Sequence, residues 1–334
     1  MSAFLSLLLL LGHFTARADD GLLQRHIWEN VSGKFAVPNE EYPQKLFPYL
    51  RNAPYGAYVS VGTERGFLGA ANSPNVTRLI LIDRDVKSVA YNQVNTLLLR
   101  ISSSRYEYLR LRLHPSPIRW KEAAIQAGLT QAEIRFLDYQ CSNWRYQVAQ
   151  YERFTTFHTP PRSPKDKFGV GNYLNDDAAF AKIHALAKDN KILALQLDLS
   201  FPVDVQNFVW LMHHEQIPLS VLDLSNAWWR EFIKRESLVD DLALFNTIAT
   251  PKSLLVTTHS PRYRVHRLAS FAFSKKETPF KYSVYTFAHI RSFQKISKFV
   301  STLHWGKYSM SLARRTAANR IGPFNFCSRI LLGR

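Results

Sequence analysis

YVSVGTERGFLGAA at residues 58–71, followed by LILIDRD at residues 79–85, decides how this chain folds. Residues 57–61 (AYVSV) read as a short strand that stops at Gly62. Gly62-Thr63-Glu64-Arg65-Gly66 is a turn, and a short helix is expected from Phe67. LILI at 79–82 is apolar throughout, as a parallel strand covered on both faces should be. It ends on Asp83. Val86, Val89, Ala90, Val94, Leu97 and Leu98 then recur at helical spacing.

The same alternation resumes further along the chain. Asn175 is the expected cap of a helix with Phe180, Ile183, His184 and Ala187 on one face. A third strand is read at 192–197, ending at Asp198, and a fourth at 219–222, ending at Asp223. Between them Val205, Phe208, Val209 and Met212 form a helical face, with Pro202 near its start. Asn226 is expected to cap a helix beginning at Trp228-Trp229. A fifth strand is read at 254–257, and two late, antiparallel strands at 267–273 and 282–287. The prolines and aromatics of 101–174 interrupt this rhythm, with helices near 119–127 and 131–153. A strand at 134–137 is the weaker alternative there. The expected fold is α/β, a doubly wound and mostly parallel sheet with a helical insertion after the second strand. The sheet domain spans 56–100 and 175–290, the insertion 101–174, and a basic C-terminal segment 291–334.

In open α/β sheets, ligands bind beyond the carboxyl ends of the strands, where strand order reverses. Three of the first four strands end on an aspartate: Asp83, Asp198 and Asp223. A glycine turn after the first strand lets the backbone approach a ligand, and an acid after the second accepts from both ribose hydroxyls. Gly62 and Asp83 lie 21 positions apart, the usual spacing for that pair. The expected ligand contains a nucleoside. The plainer reading of each acid alone is electrostatic support for the helix that follows it.

The stretches at 58–71 and 79–85 resemble the first two motifs of class I S-adenosylmethionine-dependent methyltransferases. Ser60 stands where that family usually has an acid, and Glu64 where it has its middle glycine. The Asp-Pro-Pro-aromatic tetrad of amino-methylating members is replaced by Asp223-Leu224-Ser225-Asn226. YVSVGTERGFLGAA, LILIDRDVKSVAYNQ, YLNDDAAFAKIHALAKDNKI and PLSVLDLSNAWWREFI more closely resemble an uncharacterised bacterial family with a methyltransferase-like fold. That resemblance runs from about residue 58 to 233. It implies S-adenosylmethionine as cofactor, with Gly62, Glu64, Gly66, Asp83 and Asp198 on its side of one crevice. Asp223, Ser225 and Asn226 would lie on the substrate side. It carries no assigned reaction. A binding or interaction protein that kept this fold without the reaction is the alternative.

Composition narrows the remaining classes. The chain has 334 residues, 46% of them hydrophobic, enough for an ordinary core. Cys141 and Cys327 are its only cysteines, which excludes a disulfide-rich scaffold and a cysteine-ligated metal cluster. No Gly-x-Ser-x-Gly elbow, phosphate loop or His-Glu-x-x-His motif is present. His213-His214 is a poor metal pair, because neighbouring helix positions point about 100° apart. Residues 260–334 hold fifteen Lys or Arg and one acid, Glu277, and so fourteen of the seventeen net positive charges. A polyanionic partner is expected there: nucleic acid, anionic lipid or a cell-wall polymer. The plainer reading is a solvated basic surface.

The apolar run at 3–11, then Ala16-Arg17-Ala18 and Asp19-Asp20, has the pattern of a secretory signal cleaved after Ala18. Residues 1–18 would then be removed, 19–55 would form an N-terminal arm, and the product would be periplasmic or secreted. In such a compartment Cys141 and Cys327 have the chance to pair.

Overall fold

The computed structural model describes residues 43–155, 171–229, 232–259 and 281–305. The chain enters through a short helix at Phe47–Leu50 and continues as β1 (Gly56–Val61), α1 (Glu64–Ala71), β2 (Val76–Asp83) and α2 (Val86–Ile101). Three helices follow: α3 (Arg105–Leu113), α4 (Pro117–Gln126) and α5 (Gln131–Thr155). The alternation returns with α6 (Asp177–Lys188), β3 (Ile192–Gln196), α7 (Pro202–His214), β4 (Leu219–Ser225), α8 (Arg235–Ile248) and β5 (Ala249–His259). β6 (Lys281–Thr286), α9 (Phe287–Ser292) and α10 (Ile296–Val300) complete the described chain.

The sheet order is β3-β2-β1-β4-β5-β6. β1 to β5 run parallel and β6 runs antiparallel to β5. This is the doubly wound, mostly parallel α/β fold expected, with a helical insertion after the second strand and an antiparallel strand late in the chain. Alternate residues of the apolar strands supply two cores. Tyr58, Leu79, Leu81 and Val221 face Phe67 of α1, Val94 of α2 and Phe180 of α6. Val59, Ile80, Leu222 and Leu255 face Phe208 of α7, Phe245 of α8, and Ile290 and Phe299 of the last two helices. Burying each such side chain contributes about 1.5–3 kcal/mol.

The insertion packs on α2 around two buried tryptophans. Trp120 donates its indole N–H to the Leu111 carbonyl at 3.0 Å, and Trp144 donates to that of Arg112 at 3.1 Å. Their rings meet edge-on, 6.3 Å apart. Residues 134–137 are helical, as part of α5.

Local structure differs from the sequence reading at four points. α1 begins at Glu64 rather than Phe67, because the side chains of Glu64 and Arg65 are both drawn inward. α6 is capped by Asp176, not Asn175: its carboxylate accepts from the Ala179 N–H at 2.9 Å. α3 has no counterpart among the helices read from the sequence. Its cap, Ser104, accepts from the Glu107 N–H, and Glu107 returns a bond to the Ser103 N–H at 2.6 Å. Trp228-Trp229 lie in a turn, and the next helix starts at Arg235. Both indole N–H groups donate to the Thr258 carbonyl at 3.1 Å, which draws the pair across to the end of β5.

Residues 1–42, the strand read at 267–273 and everything beyond 305 lie outside the described residues. So therefore do the secretory signal, most of the basic segment and Cys327. Cys141 is buried, which pushes its thiol up to about 11. Among the described residues no helix is long and apolar enough to cross a membrane.

Candidate functional site

β1 leads into α1 on one face of the sheet, and its neighbour β4 leads towards α8 on the other. Strand order therefore reverses between them, and a crevice is expected at their carboxyl ends. The residues around it fall into two groups. Some stand at the strand ends, and others tie the surrounding elements together.

Glu64 and Asp223 belong to the second group. Glu64 is fully buried. Its Oε1 accepts from Arg112 Nη2 at 2.6 Å and from the Tyr91 hydroxyl at 2.5 Å, and its Oε2 accepts from the Tyr173 hydroxyl at 2.6 Å. Arg112 also donates to Asn95 Oδ1 at 2.9 Å, and Trp144 lies against the guanidinium at 5.3 Å. Burial is the largest single influence on Arg112 and lowers its pKa, but the Glu64 carboxylate and the hydroxyls of Tyr108, Tyr91 and Tyr173 together outweigh it and the pKa rises. Burial raises the hydroxyls of Tyr91 and Tyr173 as well, and pushes Tyr108 up to about 12. Glu64 was expected on the cofactor side of the crevice. Its carboxylate is instead turned inward, where it joins α1 to α2, α3 and the segment before α6. A charge at the middle-glycine position thus neither crowds nor repels a ligand above the turn.

Asp223 was expected on the substrate side and is fully buried too. Arg65 grips it with two bonds, Nε to Oδ2 at 2.9 Å and Nη2 to Oδ1 at 2.6 Å. The Tyr58 hydroxyl donates to Oδ2 at 2.9 Å. This pair fastens α1 to β4 across β1, beneath the point where the strand order reverses. Gly66 is a packing position as well. A Cβ there would lie 2.3 Å from Leu81 Cδ2 and 3.0 Å from Ser60 Cβ, so glycine lets α1 approach β1 and β2 closely.

Gly62, Asp83, Asp198, Ser225 and Asn226 remain at the strand ends. Gly62 has φ +98°, which favours glycine, and a Cβ on it would meet nothing within 4 Å. The space above this turn is open. Asp83 ends β2 and is half-buried. Burial pushes its carboxyl up to about 6, against the bond that Oδ1 accepts from the Asp85 N–H at 2.9 Å. Ser225 ends β4 with φ +51°, a strained conformation for a non-glycine residue, and its N–H donates to Asp223 Oδ1 at 3.1 Å. Asn226 follows it, half-buried.

Two residues that sequence reasoning passed over belong here. Asn92 on α2 is fully buried and donates Nδ2 to the Gly62 carbonyl at 2.9 Å, while its Oδ1 has no partner. Ser88, one helical turn earlier, is 2% exposed, and its hydroxyl faces the Asp83 carboxylate and holds its pKa down against burial. A buried polar atom without a partner is rare and calls for a reason. Both residues lie on the face of α2 that borders Gly62 and Asp83. The region offers open space above Gly62, a carboxylate and one buried acceptor, Asn92 Oδ1, without a partner.

Asp198 accepts from the Ser200 N–H at 2.8 Å. Asp241 of α8, within its electrostatic reach, is 2% exposed with both carboxylate oxygens unpartnered. Burial first, then Asp240 and Asp198, push it up to about 8. A folded-state value above the unfolded one means that the native chain holds the extra proton. That contribution to stability is complete below about pH 4 and is lost as pH rises through about 8. Asp241→Asn is expected to stabilise the chain at pH 8.5 by about 1–3 kcal/mol, and by less at pH 4. Urea denaturation at both pH values checks this, and an equal gain at both would remove Asp241 as its source. Among the described residues no three His, Cys, Asp or Glu side chains gather as metal ligands. His214 stacks on Trp210 instead.

These features define a doubly wound α/β domain in which two buried ion pairs, Glu64–Arg112 and Arg65–Asp223, fasten α1 to the insertion and to β4. The chain belongs to the family described as a domain of unknown function (DUF7790), which matches residues 35–317. No curated protein matches it. Among solved structures, the rRNA methyltransferase aviRa from Streptomyces viridochromogenes aligns with 83% of this chain and 96% of its own, at 11% identity and a TM-score of 0.37.

Proposed function

We propose that this protein binds a nucleoside-containing ligand at the ends of β1 and β2, with S-adenosylmethionine as the candidate. The observation that carries this reading is the conjunction at Gly62, Asp83 and Asn92. A positive-φ glycine has open space above it, an acid ends the next strand, and an acceptor between them has no partner. Asp83 would accept from the ribose hydroxyls and Asn92 Oδ1 from a further donor of the ligand. Asp198, at the end of the next strand, would lie towards the base. S-adenosylmethionine supplies an electrophilic methyl group. Its transfer requires mainly that a nucleophile be positioned against that group, so no acid–base pair is required. Ser225 and Asn226 at the end of β4 are where a substrate would be held.

Calorimetric titration with S-adenosylmethionine and S-adenosylhomocysteine, beside an Asp83→Ala control, tests this reading. Micromolar binding that is lost in the control is expected. A folded protein that releases no heat with either compound would sink it.

A second reading rests on charge. Fourteen of the seventeen net positive charges lie in residues 260–334, which suits a polyanion. Affinity for nucleic acid should then fall steeply with salt. Binding that persists after deletion of that segment would end this reading.

A further inference from the structure

We propose that Phe232 is a stacking shelf for the base of the ligand, and that Arg84 occupies the shelf while the ligand is absent. This rests on the nucleoside reading and extends it to a side chain far from β1 and β2 in sequence. The path of the chain after β4 supports it. Trp228 and Trp229 tie that segment to the Thr258 carbonyl at the end of β5. Phe232 then stacks on Trp229, with ring centres 6.5 Å apart and planes 25° apart. The Arg84 guanidinium sits 5.8 Å from the centre of the Phe232 ring.

Arg84 directly follows Asp83 at the end of β2, and its carbonyl faces Gln196 of β3. The sheet order places β1 between β2 and β4. A segment anchored at β5 and reaching Arg84 must therefore cross the carboxyl end of β1, where Gly62 lies. It brings an aromatic ring to the neighbourhood of the acid assigned to the ribose.

The ring is held there without being buried. Ile233 beside it is 2% exposed and Trp228 is 3% exposed, whereas Phe232 is 37% exposed. Its neighbours pin it, and its own surface is left for a planar partner. A guanidinium on an exposed ring is held weakly. A nucleobase on an aromatic ring is held more firmly, whatever the base. Displacement of Arg84 by the base is therefore favourable, and the ring needs little reordering to receive it.

The test is calorimetry with S-adenosylhomocysteine and adenosine on the full chain and on Phe232→Ala, Phe232→Tyr, Arg84→Ala and Asp83→Asn, with circular dichroism to verify folding. Phe232→Ala should weaken both compounds about tenfold, which is the scale of one stacked base. Phe232→Tyr should restore affinity to within about twofold, since it keeps the ring. Arg84→Ala should leave affinity unchanged or raise it. If the wild-type chain binds and Asp83→Asn does not, but Phe232→Ala matches wild type, the stacking proposal is overturned while the crevice stands. Loss of affinity in Arg84→Ala would make Arg84 a ligand contact and overturn its place-holding role. If wild type binds neither compound, the nucleoside reading fails and this proposal falls with it.

Discussion

Replacing Arg112 by methionine is expected to destabilise the folded chain by about 3–5 kcal/mol, the cost of leaving one member of a buried ion pair without the other. The orphaned group is Glu64, which is fully buried and would keep only the hydroxyls of Tyr91 and Tyr173. Both hydroxyls are good donors, but neither carries a compensating charge. The Trp144 ring, now lying against the guanidinium, would lose that contact too. The double variant Glu64→Gln/Arg112→Met removes both charges and retains an acceptor for the tyrosines. It should recover much of the loss, because a buried pair removed whole often costs little. Urea denaturation of the wild type, Arg112→Met and the double variant measures this. A loss below about 1 kcal/mol for Arg112→Met would show that the pair does not fasten the insertion to the sheet. A double variant no better than the single one would mean that the guanidinium matters through packing rather than charge.

That network also marks the limit of what periodicity can reveal. β1 and β2 are legible because their runs are apolar and end abruptly at Gly62 and Asp83. α2 is legible because its apolar residues keep helical stride. Glu64 is not legible from its own surroundings. Its partner stands 48 positions away in α3, a helix whose sequence RYEYLRLRL buries only Tyr108, Leu111 and Arg112. A reader looking for an apolar face finds too little of one there. Ser88 and Asn92 carried a signal that was passed over. They sit four positions apart among residues of α2 that are otherwise buried, and tracing only the apolar members of a helix discards them. Asp241 hides in the same way between Leu238, Leu242 and Phe245. A polar residue in register with a buried stripe is therefore as informative as the stripe. The tryptophan pair shows the opposite failure. Asn226 as a cap suggests the start of a helix there, but both indole N–H groups find their acceptor at the Thr258 carbonyl and the pair lies in a turn.

Nucleoside affinity should weaken about tenfold between pH 7 and pH 5 if Asp83 holds the ribose. The hydroxyls donate to the ionised carboxylate, so binding favours the deprotonated form. Burial has raised the free protein's Asp83 to about 6, so the carboxylate is mostly ionised at pH 7 and mostly protonated at pH 5. Each pH unit below that value then costs about a factor of ten in affinity. An aspartate in the ordinary range near 4 would leave affinity flat over the same interval. Folding through this residue runs the other way. With a folded value above the unfolded one, the Asp83 contribution to stability is complete below about pH 4 and is lost as pH rises through about 6. Acidification therefore strengthens the fold through Asp83 while it weakens the ligand, and the two effects separate in one experiment. Titration with S-adenosylhomocysteine at pH 5, 6 and 7, beside urea denaturation at the same values, reads both slopes. Asp83→Asn cannot change charge and should show weak, pH-independent binding. Wild-type affinity that stays flat from pH 7 to pH 5 would remove Asp83 from the ligand's contacts, even if the ligand still binds.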